Sequence, residues 1–458
     1  MPVPRIDKVI GIDIYATETA GVGGVIRESV DDFVVEEVLV DGSKAEIEKS
    51  TESRVLGASS ARQRHLLCVL VKRNWDTFIA LRNIAKQLGV DQGQIQIAGI
   101  KDAKAVTAQH ITVENSSMED ASKVNFKEIE IRPVGYVRDK LSPYYLLGNN
   151  FTISIKNIEY SELAVAKLIT ETASSLDALG GIPNFFGHQR FGTTRPITHL
   201  VGKAIVEGDF EEAAMLFLAK PSVHEHPSSR RTRAELQSTR DFKLALQNFP
   251  KQLRFERFML WHLLEKTDDF VGAFRRLPVK LQALFVQAYQ SYLFNRFLSE
   301  RVKNGFSLNK AEIGDYVVNV ERSGLPMFHT VKFTDSENLS EVNKLVNAGR
   351  MQVALPLIGV KQRLSQGVME QIERQILEEE NVETRNFRVN GVREMNRRGG
   401  LRAVATPVRS FKLHGVSASA TKKRTHRADL SFMLLRGSYA TLFLREIMKP
   451  SDPMKAGF

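Results

Sequence analysis

The stretch IQIAGIKDAKAVTAQHITV, residues 95–113, decides the fold class, because two runs of strand character flank a short polar bend. Gly99 ends the first run, and the bend GIKDAKA places one carboxylate, Asp102, between Lys101 and Lys104. On pattern alone this is a plain turn, since aspartate favours bends and lysines favour water. A second reading is open: a carboxylate beside cations is favoured in its charged form and can serve as a nucleophile or base.

Working outward, RHLLCVLVKRN is a continuous apolar strand leading into WDTFIALRNIAKQLGV. There Phe78, Leu81, Ala85 and Leu88 recur at helical spacing and Gly89 supplies the stop. Upstream, GGVIRESVDDFVVEEVLV alternates Phe33 and Val35 with Val34 and Glu36, which predicts a strand. Downstream, FTISIKNI alternates in the same way, and a helix is expected over residues 161–179 with Leu163, Ala166, Ile169 and Ala173 on one face. The N-terminal part is therefore mixed α and β. After PNFFGHQRFGTTRP the helical period takes over from Ile197 to about residue 300, followed by a β-rich interval over 314–357 and the charged helix VMEQIERQILEEENV. DLSFMLLRGSYATLFLREIMK again reads as strand, turn and helix, so the last segment returns to the first domain and the middle is an insertion. No internal repeat of fixed period is present.

A chain of 458 residues is expected to form two domains, because single cores seldom exceed about 250–300 residues. With 43% hydrophobic and 26% charged residues it has a soluble globular composition. No run approaches a membrane span, and the opening residues lack the apolar stretch of a secretory signal, so a cytoplasmic location is expected. The single cysteine, Cys68, lies in an apolar run and is expected to be buried and inert. A net charge of +11 points weakly to a polyanionic partner. More specific is the span from Arg397 to Arg427, with nine Lys or Arg and no acid, read as a mobile basic segment suited to phosphates or, equally, as a solvated linker. A smaller basic cluster is SSRRTRAELQSTR.

Familiar cofactor sites do not fit. GVGGVI lacks the third glycine of a dinucleotide fingerprint, no phosphate-loop motif occurs, and His224 and His226 flank Glu225 in a polar stretch without further ligands. No cofactor and no metal are expected.

Several separated motifs together change the weighing of Asp102. AGIKDAKAVTAQ resembles the active-site motif of the TruD family of tRNA pseudouridine synthases, in which a G-x-K-D turn carries the catalytic aspartate. DDFVVEE, GNNF, PNFFGHQRFG, AYQSYLFNRF and GSYATLFLREI match further motifs of that family in the same order, across nearly the whole chain. The layout is similar to archaeal-type enzymes acting on uridine 13 of tRNA.

The resemblance implies an α+β fold: a pseudouridine-synthase catalytic domain with a mixed, mostly antiparallel sheet, over 1–193 and 410–458, plus an inserted α/β TRUD domain over 194–409. It implies isomerisation of a tRNA uridine to pseudouridine without a cofactor, with Asp102 as the essential carboxylate. Arg27 matches a basic position expected to pair with Asp102. Phe151 matches the active-site aromatic, Asn149 could hydrogen-bond uracil or shape its turn, and Phe33 has the same two readings as Phe151, site or core. Lys101 is expected to make a structural or phosphate contact, pointing away from Asp102. Gln189 and Arg190 are the candidates in PNFFGHQRFG for meeting RNA, with Phe185, Phe186 and Phe191 around them. The expected partner is tRNA, with no membrane association, and the expected state is a monomer. Two other classes stand beside this one: a non-catalytic RNA-binding protein with the same fold, and a basic scaffold protein.

Overall fold

The computed structural model describes residues 2–48, 55–419 and 424–458. The chain forms two compact units. One comprises Thr17–Ile182, Arg322–Leu325 and Thr406–Phe458; the other comprises Met1–Ala16, Pro183–Glu321 and Pro326–Ala405. The chain thus crosses between units after 16, 182, 321, 325 and 405, where the sequence reading set domain boundaries at 193 and 409. Among the described residues the strands are β1 (Phe33–Leu39), β2 (His65–Arg73), β3 (Ile95–Ile97), β4 (Val106–Glu114), β5 (Ile129–Val137), β6 (Leu146–Ile158), β7 (Ile182–Pro183), β8 (Tyr316–Val320), β9 (Pro326–Phe333), β10 (Met351–Leu357), β11 (Gly400–Ala403), β12 (Ala405–Thr406), β13 (Arg409–Ala418) and β14 (His426–Leu435).

The first unit is built on a sheet of order β13-β14-β6-β1-β4-β2-β5, with β3 added to β4. The β1–β4 pair is parallel and the other pairs are antiparallel. The quoted stretch is therefore a β3–bend–β4 unit, with Ile95 opposite Val113 and Ile97 opposite Ile111. Leu66, Cys68 and Leu70 of β2 and Ile111 and Val113 of β4 form a core with Ala80, Leu81, Ile84 and Ala85 of the helix Thr77–Leu88. Asp76 caps that helix by accepting from the Phe78 and Ile79 amides, and Gly89 ends it in the left-handed region.

Three expectations need correction. Phe78 is 51% exposed and does not belong to the buried stripe. In the helix Glu162–Ala178, Leu163 is 85% exposed, and Val165, Ile169, Thr172 and Leu176 face inward instead. Two stripes sharing Ile169 were possible there. The polar Thr172 can be buried because its hydroxyl donates to the Leu168 carbonyl, so no polar group is stranded. The basic span 397–427 is not a mobile segment in its described part: β11, β13 and the start of β14 run through it, and β13 is the sheet's edge strand, paired with β14. Small polar residues and lysine suit an exposed edge, because they discourage pairing with another chain. Lys422 and Lys423 lie outside the described residues.

In the second unit, helices fill residues 198–303, as the periodicity predicts. The longest, Val279–Lys303, is buried on most of its faces, so its polar residues need internal partners. Asn295 accepts from the Phe186 amide and donates to the Ile10 and Phe186 carbonyls, and Arg301 pairs with Asp315 at 2.7 Å. The antiparallel sheet β11-β10-β8-β9 and the helix Gly367–Glu379 complete it. The cluster SSRRTRAELQSTR lies within the helix Pro227–Thr239 and its C-cap, and Arg233 from it turns inward to pair with Glu225 and Glu256. Among the described residues no helix is long and apolar enough to cross a membrane.

Candidate active site

Two rungs of the first unit's sheet lay out the site. Residues directly opposite in paired strands point to the same face. Val35 of β1 lies opposite Phe151 of β6 and Thr107 of β4; Phe151 lies opposite Phe432 of β14, and Thr107 opposite Lys72 of β2. The rung Phe432–Phe151–Val35–Thr107–Lys72 therefore crosses five strands on one face. Two residues along β1, Glu37 lies opposite Asn149, which lies opposite Leu434.

On the aromatic side, Phe33 meets Phe151 edge-on at 6.1 Å, and Phe151 stacks on Phe432 at 5.3 Å between ring centres. Phe33 and Phe151 are both buried within this row. Asn149 is half-buried, and its side-chain oxygen is enclosed and accepts no hydrogen bond among the described residues.

The Asp102 bend is pinned to this face by side chains from four elements. Gln109 of β4 donates to the Gly99 carbonyl at 3.1 Å, and the Thr77 hydroxyl donates to the Lys101 carbonyl at 3.1 Å. Lys72 donates from its ammonium to the Asp102 carbonyl at 2.8 Å. Lys101 is buried, its Nζ 2.6 Å from Oε2 of Glu37 on β1. The same carboxylate accepts from the His110 amide through Oε1 at 2.9 Å. Burial alone would push the Glu37 carboxyl up, but Lys101 and His110 outweigh it and hold it below the usual range. Lys101 and Lys104 look equivalent in the sequence, yet only Lys104 is exposed.

The Asp102 side chain, 29% exposed, meets Arg27, whose NH2 stands 3.0 Å from Oδ1. Arg27 lies just before β1 with φ of 58°, a conformation that is uncommon for a residue with a side chain. Its NH1 donates to the Gly457 carbonyl at 2.9 Å, and its guanidinium carbon lies 3.9 Å from the centre of the Phe33 ring. Burial draws this guanidinium below its usual value while Asp102 pulls it back up. Gly457 itself has φ of +91°, and a Cβ there would collide with the Ile26 carbonyl oxygen. Gly457 thus sets the seat of Arg27.

Gln189 and Arg190 belong to the second unit, on a 3-10 turn at His188–Arg190. Gln189 is exposed, and Arg190 lies over the Phe186 ring at 5.3 Å. Phe185, Phe186 and Phe191 are buried in that unit, as Phe33 and Phe151 are in the first. Among the described residues no group of three or more His, Cys, Asp or Glu could hold a metal ion.

The sequence reading missed Lys72, Glu37, His110 and Gly457. A signal existed for one of them: Lys72 follows the apolar run HLLCVLV at the parity of Leu66, Cys68 and Leu70.

A carboxylate held by a guanidinium beside an aromatic row and a polar amide, on a mixed, mostly antiparallel sheet, is a grouping able to serve acid–base or nucleophilic chemistry. The family described as tRNA pseudouridine synthase D (TruD) matches residues 9–447. Relatives from Methanosarcina barkeri and Methanosarcina acetivorans, each assigned the name tRNA pseudouridine synthase D, are 38% and 39% identical over 456 residues. They cover 99% of this chain and 100% and 99% of their own length. The crystal structure of the TruD protein from Methanosarcina mazei superposes with a TM-score of 0.83 at 37% identity, covering 99% of this chain and 100% of that one. The chain belongs to the TruD family of tRNA pseudouridine synthases, isomerases that convert uridine to pseudouridine in tRNA.

Proposed function

We propose that the first unit is the catalytic domain and that Asp102 is its essential carboxylate, acting as nucleophile or base on a uridine of tRNA, at position 13. The observation that carries this reading is the Arg27–Asp102 pair, seated beside the Phe33–Phe151–Phe432 row and Asn149. Pseudouridylation breaks the N-glycosidic bond, turns the base, and joins C5 to the same ribose carbon. It is redox-neutral, so the chain's own residues suffice and no cofactor is required.

Each residue then has a task. Arg27 orients Asp102 and supplies its counter-charge. Phe151 and Phe33 offer the uracil an apolar edge in place of the stack it leaves, and Asn149 hydrogen-bonds the uracil edge. Lys101 serves the turn through Glu37 and does not contact RNA. Gln189 and Arg190, in the motif PNFFGHQRFG, contact the tRNA. The enzyme acts as a monomer on cytoplasmic tRNA.

The test is incubation with unmodified tRNA followed by carbodiimide-dependent reverse-transcription stops. A new stop at position 13 is expected with the wild type and none with Asp102→Asn. No stop with the wild type would favour a non-catalytic RNA-binding protein; an undiminished stop with Asp102→Asn would remove Asp102 from the chemistry.

A further inference from the structure

Lys72 poses a question that sheet architecture does not answer. It takes the inward position on β2 that follows Leu66, Cys68 and Leu70, and its side chain is fully buried. An ammonium in such a place costs more than a methyl group unless its charge is used. Its hydrogen bond runs to the main-chain carbonyl of Asp102. Asp102 is thus gripped twice by cations, its carboxylate by Arg27 and its backbone by Lys72.

Resting on the reading of Asp102 as the catalytic carboxylate, we propose that Lys72 is a positioning residue for the isomerisation: its ammonium, fixed by the β2 register, clamps the Asp102 carbonyl and so sets where the carboxylate stands. Other hydrogen bonds hold the bend at Gly99 and Lys101, upstream of the reacting residue, and at Ala105, downstream of it. A charge-assisted hydrogen bond is roughly twice as strong as a neutral one. A misplacement of about 1 Å at a reacting group can lower a rate by roughly a hundredfold.

The charged groups acting on Lys72 are Asp102 and Lys101 of the bend and Asp76 ahead of the helix Thr77–Leu88, and Thr107 of β4 lies opposite it. Burial pushes the ammonium down to about 8, against the pull of Asp102 and Asp76 and with added repulsion from Lys101. The clamp therefore loses its charge as pH rises through about 8.

The experiment measures single-turnover rates on unmodified tRNA on both sides of pH 8, with tRNA affinity in parallel, for wild type, Lys72→Met, Lys72→Arg and Asp102→Asn. The wild-type rate should fall as pH rises through 8. Lys72→Met should be roughly 10- to 100-fold slower at neutral pH, with no alkaline fall and with tRNA affinity within about twofold. Lys72→Arg, which stays charged, should recover part of the rate and lack the alkaline fall. A full-rate Lys72→Met, or the same alkaline fall in Lys72→Arg as in wild type, overturns the inference. Should Lys72→Met fail to fold, as judged by circular dichroism, the pH profile of Lys72→Arg decides alone. Asp102→Asn keeps the two readings apart: undiminished product there defeats the catalytic assignment itself, whereas an inactive Asp102→Asn beside a full-rate Lys72→Met defeats only the role of Lys72.

Discussion

Replacing Arg27 by methionine should slow the chemistry far more than it weakens the fold. The Arg27 and Asp102 side chains are 11% and 29% exposed at a separation of 3.0 Å, which places the pair at the margin of water. There an effective dielectric constant near 20 makes two unit charges about 4 Å apart worth roughly 4 kcal/mol before desolvation. Arg27 returns much of that, because burial disfavours its charge. With the guanidinium gone, Asp102 hydrates through its open edge, so the stability lost should be about 1 kcal/mol or less. The reacting complex is different, because a bound uridine displaces that water and Asp102 then has no counter-charge. A loss of about 1.4–2.8 kcal/mol in the transition state corresponds to roughly 10- to 100-fold in rate. The assay is single-turnover pseudouridine formation at saturating enzyme, with urea unfolding in parallel. Arg27→Lys should fall between, since one ammonium cannot span Asp102 and the Gly457 carbonyl as the guanidinium does. An Arg27→Met enzyme reacting at the wild-type rate, or slowed only by its unfolded fraction, would refute the reasoning.

Four further outcomes are expected. Gly457→Ala, forced into a left-handed conformation that costs about 1–2 kcal/mol and into the Ile26 carbonyl, should displace Arg27 and lower the single-turnover rate with tRNA affinity kept; an unchanged rate would show that the Arg27 seat tolerates the shift. Lys72 should make the fold more stable as pH rises from about 8 toward its usual 10.5, because over that window the unfolded chain binds the proton and the folded one does not; urea unfolding should lose that rise in Lys72→Met. The Cys68 thiol, buried and pushed up to about 12, should react with alkylating reagents only as fast as the chain unfolds, and fast labelling of the native protein would contradict its place in the core. If the basic span contacts phosphates, neutralising Lys422, Lys423 and Arg424 should flatten the salt dependence of tRNA affinity by about 0.7–0.9 per lost contact, and an unchanged slope would return the span to a purely structural role.

The alternation in FVVEEVL and FTISI, the apolar run of β2 and the helical period over residues 197–300 all reappear as elements, because each carries its period locally. Which face of a helix turns inward was less legible. Leu163 points to water although it fits an apolar stripe, while Thr172 is buried, because the neighbours that cover a face lie far away in sequence. The basic span shows the same limit from another side. Its composition reads as solvated, and only pairing with β14 makes β13 a strand.

By itself the sequence determined the β3–bend–β4 unit, the mixed character of both ends of the chain, and the motifs that single out Asp102. Those are properties of consecutive residues. What only the tertiary structure decided is how the bend is held: Arg27 seated on Gly457, Lys101 sunk against Glu37 while Lys104 stays exposed, and Lys72 reaching the Asp102 carbonyl from inside the sheet. Each of these joins residues tens to hundreds of positions apart. Strand register places them on one face, and that register is fixed by which apolar residues are buried together, not by the local pattern around any one of them.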